Sequence, residues 1–191
     1  MRLLHIDSSI LGEQSASRVL TREIVAHWQR RHPDIEVQYL DLAAEGLPHL
    51  SGAALSGQID AERARNARTL EQFLRADVVV IGAPTYNFAI PSQLKAWIDR
   101  IAVAGKTFRY TASGPQGLAG GKQVIVALAR GGVHSPGEPG EFVESYLRHL
   151  FGFLGIDTVR FVRAEGLALS AEHRQASLST ALGEAPSAVA A

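Results

Sequence analysis

The chain has 191 residues, 46% of them hydrophobic and 20% charged, with 19 basic and 19 acidic side chains. The zero net charge removes any electrostatic case for nucleic acid or an anionic membrane as partner. The absence of cysteine excludes a disulfide framework and a thiolate nucleophile, and the seven histidines show no paired ligand spacing, so no metal is expected.

Leu3, Leu4 and Ile6 mark a first strand over 2–7. Asp7 cuts the apolar run short of a signal segment, and no stretch approaches the ~18 apolar residues of a membrane span, so a cytoplasmic protein is expected. A polar loop leads to Ser15-Ala16-Ser17, which opens a helix to about Arg31 with Ala16, Leu20, Ile24 and Trp28 on its buried face. Pro33 ends that helix. Residues 35–40 alternate as a second strand, and 41–57 read as a long excursion with a short helix. From Asp60 a helix resumes, with Ala67, Leu70 and Leu74 inward and Arg63, Arg65 and Glu71 outward. Val78-Val79-Val80-Ile81 is short, apolar and β-branched, the mark of a strand buried on both faces. After the loop 82–91, Pro91 suits the first turn of a helix carrying Leu94, Trp97, Ile98 and Ile101 on one stripe. Residues 106–121 are an insertion, a small hairpin or an ordered lid, with a turn signal at Ser113-Gly114-Pro115. Residues 122–129 form strand four. The helix over 141–154 turns Val143, Leu147, Leu150 and Leu154 inward, and Gly155 closes it at C′. Strand five covers 156–162, and Ser170 caps a last helix that fades into a loose tail over 184–191.

No repeat or linker divides the chain, so 1–191 reads as one domain. Five strands alternating with helices imply an α/β, doubly wound parallel sheet of flavodoxin-like order 2-1-3-4-5, with helices on both faces. That order brings the loops 8–17, 84–91 and 129–137 to one edge, at the switch point where ligands bind. Ser9, Ser15 and Ser17 surround a helix start, whose free N–H groups and dipole favour a phosphate. A simple cap needs only one serine. Neither G-x-G-x-x-G nor a Walker loop is present, since Gly120-Gly121-Lys122-Gln123 lacks the Ser/Thr and runs into a strand; a mononucleotide phosphate fits better than a dinucleotide or ATP. Tyr86, Asn87 and Phe88 could line a flat aromatic ligand or merely pack the loop onto the sheet. Gly131-Gly132 lets backbone approach a ligand closely, and His134 either contacts it or caps a turn. Phe108 and Tyr110 read as lid aromatics or hairpin pairs. Of Phe151 and Phe153, one is expected in the core and the other exposed.

Assembled, these pieces resemble the FMN-dependent NAD(P)H azoreductase/quinone reductase family of flavodoxin-like proteins. The matching motifs include His5-Ile6-Asp7-Ser8-Ser9, Ser15-Ala16-Ser17-Arg18, Pro84-Thr85-Tyr86-Asn87-Phe88 with Ile90-Pro91, Thr107-Phe108-Arg109-Tyr110-Thr111, and Arg130-Gly131-Gly132-Val133-His134. The resemblance implies a homodimer with FMN at the interface. Ser9, Ser15, Ala16 and Ser17 would hold the phosphate. Pro84, Thr85, Tyr86, Asn87, Phe88, Ala129, Gly131, Gly132 and His134 would embrace the ring system. Asn87 and Phe88, with Tyr110 and Phe151 or Phe153 from the partner, would line the substrate side. Two positions depart from the family pattern: Thr85 stands where Met is common, and Ala129 where Ser is common. The implied reaction is ping-pong reduction of quinones and azo compounds by NADH or NADPH, with no dedicated catalytic base because the cofactor carries the chemistry. The alternatives are a flavodoxin-type electron carrier, disfavoured by zero net charge because such carriers are usually strongly acidic, and a ligand-free regulatory module on the same fold.

Overall fold

The computed structural model describes residues 1–56, 58–134, 138 and 140–189. In chain order the elements are β1 (Arg2–Asp7), α1 (Ala16–Arg31), β2 (Glu36–Asp41), α2 (Gly52–Leu55), α3 (Asp60–Arg75), β3 (Val78–Pro84), α4 (Ser92–Ile101), β4 (Phe108–Thr111), β5 (Gly114–Gly117), β6 (Gln123–Ala129), α5 (Val143–Phe153), β7 (Thr158–Ala164) and α6 (Ala171–Val189). The five long strands form a parallel sheet of order β2-β1-β3-β6-β7, as expected, and β4 and β5 pair antiparallel as a separate hairpin.

Successive side chains of a strand point to opposite faces, and the core divides accordingly. Leu4, Ile6, Val79, Ile81, Val124 and Val126 pack under α3, α4 and α5. Leu3, Val78, Val80, Ile125, Ala127 and Val162 pack under α1 and α6. The register sets Asp7 beside Gly82 and Pro84 beside Ala129, so the carboxyl ends of β1, β3 and β6 lie in step. Their three loops leave from one edge.

Three expectations change. The segment 184–189 is not a tail: α6 runs through Pro186 to Val189, and Ala181, Ala185, Ala188 and Val189 are buried against the sheet and α1. That burial outweighs the single backbone hydrogen bond that proline forgoes, and Arg160 Nη1 caps the end by donating to the Ala188 carbonyl (2.8 Å). Residues 190 and 191 lie outside the described residues. The inward face of α3 is Thr69 and Phe73, while Ala67 is exposed and Leu70 and Leu74 are half-buried. The large Phe73 ring packs edge-on against Trp97 (5.8 Å) and sets the helix's rotation. The last strand starts two residues late because a full C-terminal motif consumes 155 and 156. Gly155 (φ +87°) donates to the Gly152 carbonyl and Ile156 N to that of Phe151, each at 2.9 Å.

Candidate functional site

The first loop is fastened from below. Ser8 Oγ donates to the Gly82 carbonyl (2.6 Å), and Ser15 caps α1 by accepting from Arg18 N (3.3 Å). Ser15 and Ser17 hydroxyls sit 3.0 Å apart, and Ser9 Oγ lies 3.1 Å from the Tyr86 hydroxyl of the second loop. The N–H groups of Ala16 and Ser17 find no acceptor among the described residues. They are the unpaired donors that a helix start offers an anion.

Beneath the loop is a buried charge network. Arg18 forks onto Asp41, Nη1 to Oδ2 at 2.6 Å and Nη2 to Oδ1 at 2.8 Å, and Nη2 also donates to the Ser9 carbonyl at 2.9 Å. Asp7 accepts from Thr21 Oγ1 (2.8 Å) and from the Tyr39 hydroxyl (3.1 Å). Burial pushes the Asp7 carboxyl up, but His5, Thr21 and Tyr39 together hold it below its ordinary value. Burial and the neighbouring Asp7 push the Tyr39 phenol up to about 12. A Cβ on Gly82 would stand 2.8 Å from Asp7 Oδ1, so only glycine leaves room for this carboxylate.

The second loop is a two-residue turn. Tyr86 N donates to the Ala89 carbonyl (2.9 Å) and Ala89 N to that of Tyr86 (3.0 Å). Its central residues, Asn87 (φ +49°) and Phe88 (φ +66°), both lie in the left-handed region. Asn tolerates that conformation; Phe does not, at a cost of roughly 1–2 kcal/mol. Phe88 is 62% exposed, so packing does not offset the strain. Strain retained in an exposed loop points to use of the loop. Phe88→Gly is therefore expected to raise the unfolding free energy of the ligand-free protein by about 1 kcal/mol while weakening ligand retention. A denaturant titration showing Phe88→Gly less stable than wild type would contradict this account of the turn.

The third loop is held by its carbonyls. Gly166 N donates to the Gly132 carbonyl (2.8 Å), Leu167 N to that of Arg130 (3.1 Å) and Ala168 N to that of Gly131 (3.1 Å). The N–H groups of Gly131 and Gly132 take no acceptor among the described residues. Arg130 is buried at the base, with Nε 2.6 Å from Glu165 Oε1 and Nη1 3.5 Å from Glu141 Oε1. The closer contact is an ion pair whose N–H direction misses hydrogen-bond alignment. Glu141 also caps α5, accepting from Glu144 N (2.8 Å). Residues 135–137 of the expected loop lie outside the described residues.

Between the loops is a cleft of about 200 Å³ lined by Ser9, Ser15, Ala16, Pro84, Thr85, Tyr86, Ala129 and Gly131. A shallower hollow of about 630 Å³ continues past Thr85, Tyr86 and Asn87 to Ile90. Thr85 Oγ1 is buried without a partner. Ser17 does not itself line the cleft; its hydroxyl lies 3.0 Å from that of Ser15, which does. Phe88 and His134 both approach Gly140, where an added Cβ would be 3.7 Å from either ring. The aromatics of the insertion are elsewhere. Tyr110 is 75% exposed on the hairpin, and Phe153 packs on Phe108 (centroids 4.6 Å). Phe151 is a correction: it is fully buried in its own core, where the α5 C-terminal motif turns it inward, and it has no surface to offer a substrate. Sequence reasoning missed Leu11, Leu167, Ala168, Arg130 and Arg174, which also line the cleft. Most come from segments with no local ligand signature.

A doubly wound sheet with three loops converging on its switch point is a flavodoxin-like α/β protein in architecture. The chain belongs to the family described as having the flavodoxin-like fold, whose model matches residues 1–188. It is 57% identical over 182 residues to "FMN-dependent NADH:quinone oxidoreductase 1" of Xanthomonas euvesicatoria pv. vesicatoria (strain 85-10), covering 95% of this chain and 93% of that one. It is 54% identical to the FMN-dependent NADH:quinone oxidoreductase of Polaromonas naphthalenivorans (strain CJ2), over 94% and 89% of the two chains. Among solved structures, the azoreductase from Bacillus anthracis str. Sterne superposes with a TM-score of 0.90 at 31% identity, covering all of both chains. The FMN-dependent NADH-azoreductase from Bacillus anthracis str. Ames Ancestor, in complex with FMN, superposes at 0.85 with 26% identity over 99% and 100%.

Proposed function

We propose that this protein is a cytoplasmic FMN-dependent NADH:quinone oxidoreductase that also reduces azo compounds. The observation that carries the reading is a pair of unpaired donor sets at one cleft: the N–H groups of Ala16, which lines it, and the adjoining Ser17 on one loop, and those of Gly131, which lines it, and the adjoining Gly132 on another. A phosphate and the carbonyl edge of a flat heterocycle require such donors, so the residues fit FMN. Relatives named for that cofactor agree.

Bound FMN supplies the hydride acceptance from NADH and the electron delivery to a quinone or azo acceptor. The chain binds and orients. Ala16 and Ser17 N–H groups, with the hydroxyls of Ser9, Ser15 and Ser17, would hold the phosphate. Pro84, Thr85 and Tyr86, with Ala129 and Gly131, all of which line the cleft, would embrace the ring system. The Asn87-Phe88 turn and His134 close the rim. A second copy of the chain brings Tyr110 and Phe153 over the cleft and excludes water there; the exposed Tyr110, Phe88 and Phe142 rings support a homodimer. With one cleft and its adjoining hollow beside the loops, donor and acceptor would occupy the same place in turn, a ping-pong order. Reconstitution with FMN followed by anaerobic NADH is expected to bleach the flavin, and initial rates against quinone at several NADH concentrations should give parallel double-reciprocal lines. A flavin that stays oxidised removes the enzyme reading; intersecting lines remove the ping-pong order.

A further inference from the structure

The cleft between the loops is lined by two arginines and by no aspartate or glutamate. One of them, Arg130, is neutralised by Glu165 and Glu141. The other, Arg174, is not. It lies in the first turn of α6, just beyond Ser170, whose hydroxyl caps that helix by accepting from His173 N (3.0 Å). Its Nη2 donates to the Gln14 carbonyl (2.9 Å), one residue before the Ser15 cap of α1. Among the described residues no carboxylate lies within ion-pair distance of it; the nearby Glu13 is taken by Arg22 (3.1 Å). A cation is thus held at the positive ends of two long helices, α1 and α6, where the dipoles disfavour it. Beside it are the unpaired N–H groups of Ala16 and Ser17. Positive charge gathered this way without a counter-charge is relieved by a bound anion.

We propose that Arg174 is a binding residue for a phosphate monoester in this cleft, and, on the FMN reading above, that it grips the cofactor's phosphate with the guanidinium N–H groups Gln14 leaves free. Gln14 acts as the tether that aims it. The contact joins the C-terminal helix to the first loop, so the phosphate would be held by both ends of the chain.

The test uses the apoprotein of wild type, Arg174→Gln and Arg174→Lys, titrated separately with FMN and with riboflavin, which lacks the phosphate, with quenching of flavin fluorescence as readout. Arg174→Gln is expected to weaken FMN by about ten- to a hundredfold, the worth of a charge-assisted hydrogen bond. Riboflavin binding should stay within about twofold, and Arg174→Lys should recover part of the FMN loss. Thermal unfolding of the apoproteins checks that the variants fold alike. An equal loss for both flavins, or no loss for FMN, overturns the proposal. So does a variant with unchanged flavin affinities but a raised KM for NADH, which would assign the cation to the donor's diphosphate. Wild type that binds neither flavin would instead sink the FMN reading itself.

Discussion

Arg18→Met is expected to cost about 3 kcal/mol of folding stability, the lower end for breaking a buried ion pair because Asp41 keeps 19% of its side chain exposed. The guanidinium satisfies Asp41 with two hydrogen bonds, Tyr39 with one and the Ser9 carbonyl with another. Methionine fills the space but leaves Asp41 with only the Ala43 and Ala44 N–H groups. It also removes the cation 4.0 Å from Asp7. The Ser9 carbonyl is released at the same time, so FMN affinity should fall along with stability. The Arg18 hydrogen bonds hold the Asp41 carboxyl below its ordinary value, and Asp7 is lowered too, its partners prevailing over burial. A carboxylate lowered on folding contributes stability that is present above its unfolded pKa and lost as pH falls through the folded one. Wild type should therefore lose stability below about pH 4. Arg18→Met, having less to lose, should show a shallower decline. Urea unfolding at neutral and acid pH measures both effects. A variant with the wild-type midpoint at neutral pH would show the network to be energetically idle.

The fold was legible because its buried strands are nearly unbroken: Val78-Val79-Val80-Ile81 and Val124-Ile125-Val126-Ala127-Leu128 admit few other readings. The end of α6 was not, since Ala, Ser and Pro in succession have the composition of a tail, and only burial against α1 and the sheet makes them a helix. The face of α3 was misread because two stripes overlap there and tertiary packing on Trp97 chose the one with Phe73. At the site, Ser15 advertised itself as a cap and Gly131-Gly132 as a close approach. The turn at 87–88 has an Asn that suits the left-handed region but a Phe where glycine is usual, so its left-handed pair is only half visible in the residues. Arg174 reaches Gln14 across 160 positions of sequence, a distance at which spacing says nothing. The cofactor and acceptor classes came from resemblance to a family, not from periodicity.

Gly117→Ala is the second substitution with a large expected effect, again about 3 kcal/mol, the upper part of what overpacking costs. A Cβ there would lie 2.1 Å from Gly155 N, 2.3 Å from Leu154 C and 2.4 Å from Gly155 Cα. These are backbone atoms and cannot swing aside. Gly155 is itself pinned at φ +87° by the motif that ends α5. The hairpin must then back away from α5, straining the bond from Ala119 N to the Leu154 carbonyl (2.9 Å) and, further along, that from Leu118 N to the Thr107 carbonyl (2.8 Å). Thr107 anchors the hairpin to α4 through its hydroxyl, which donates to the Ile101 carbonyl (2.7 Å), so the base resists and the displacement is passed to the tip. The tip carries Tyr110, and its base carries Phe108 against Phe153. Among the described residues, no backbone hydrogen bond or ring contact ties this hairpin to the three loops around the cleft. Gly117→Ala should thus lower the thermal midpoint and raise KM for quinone while FMN affinity stays at the wild-type value. Gly114→Ala, at the hairpin's open turn where φ is +114° and a Cβ meets nothing, separates backbone strain from collision. It should lower the midpoint less and leave KM unchanged. Loss of FMN from Gly117→Ala would mean that the hairpin and the phosphate loops are mechanically one unit, and the assignment of Tyr110 to the substrate side alone would fall with it.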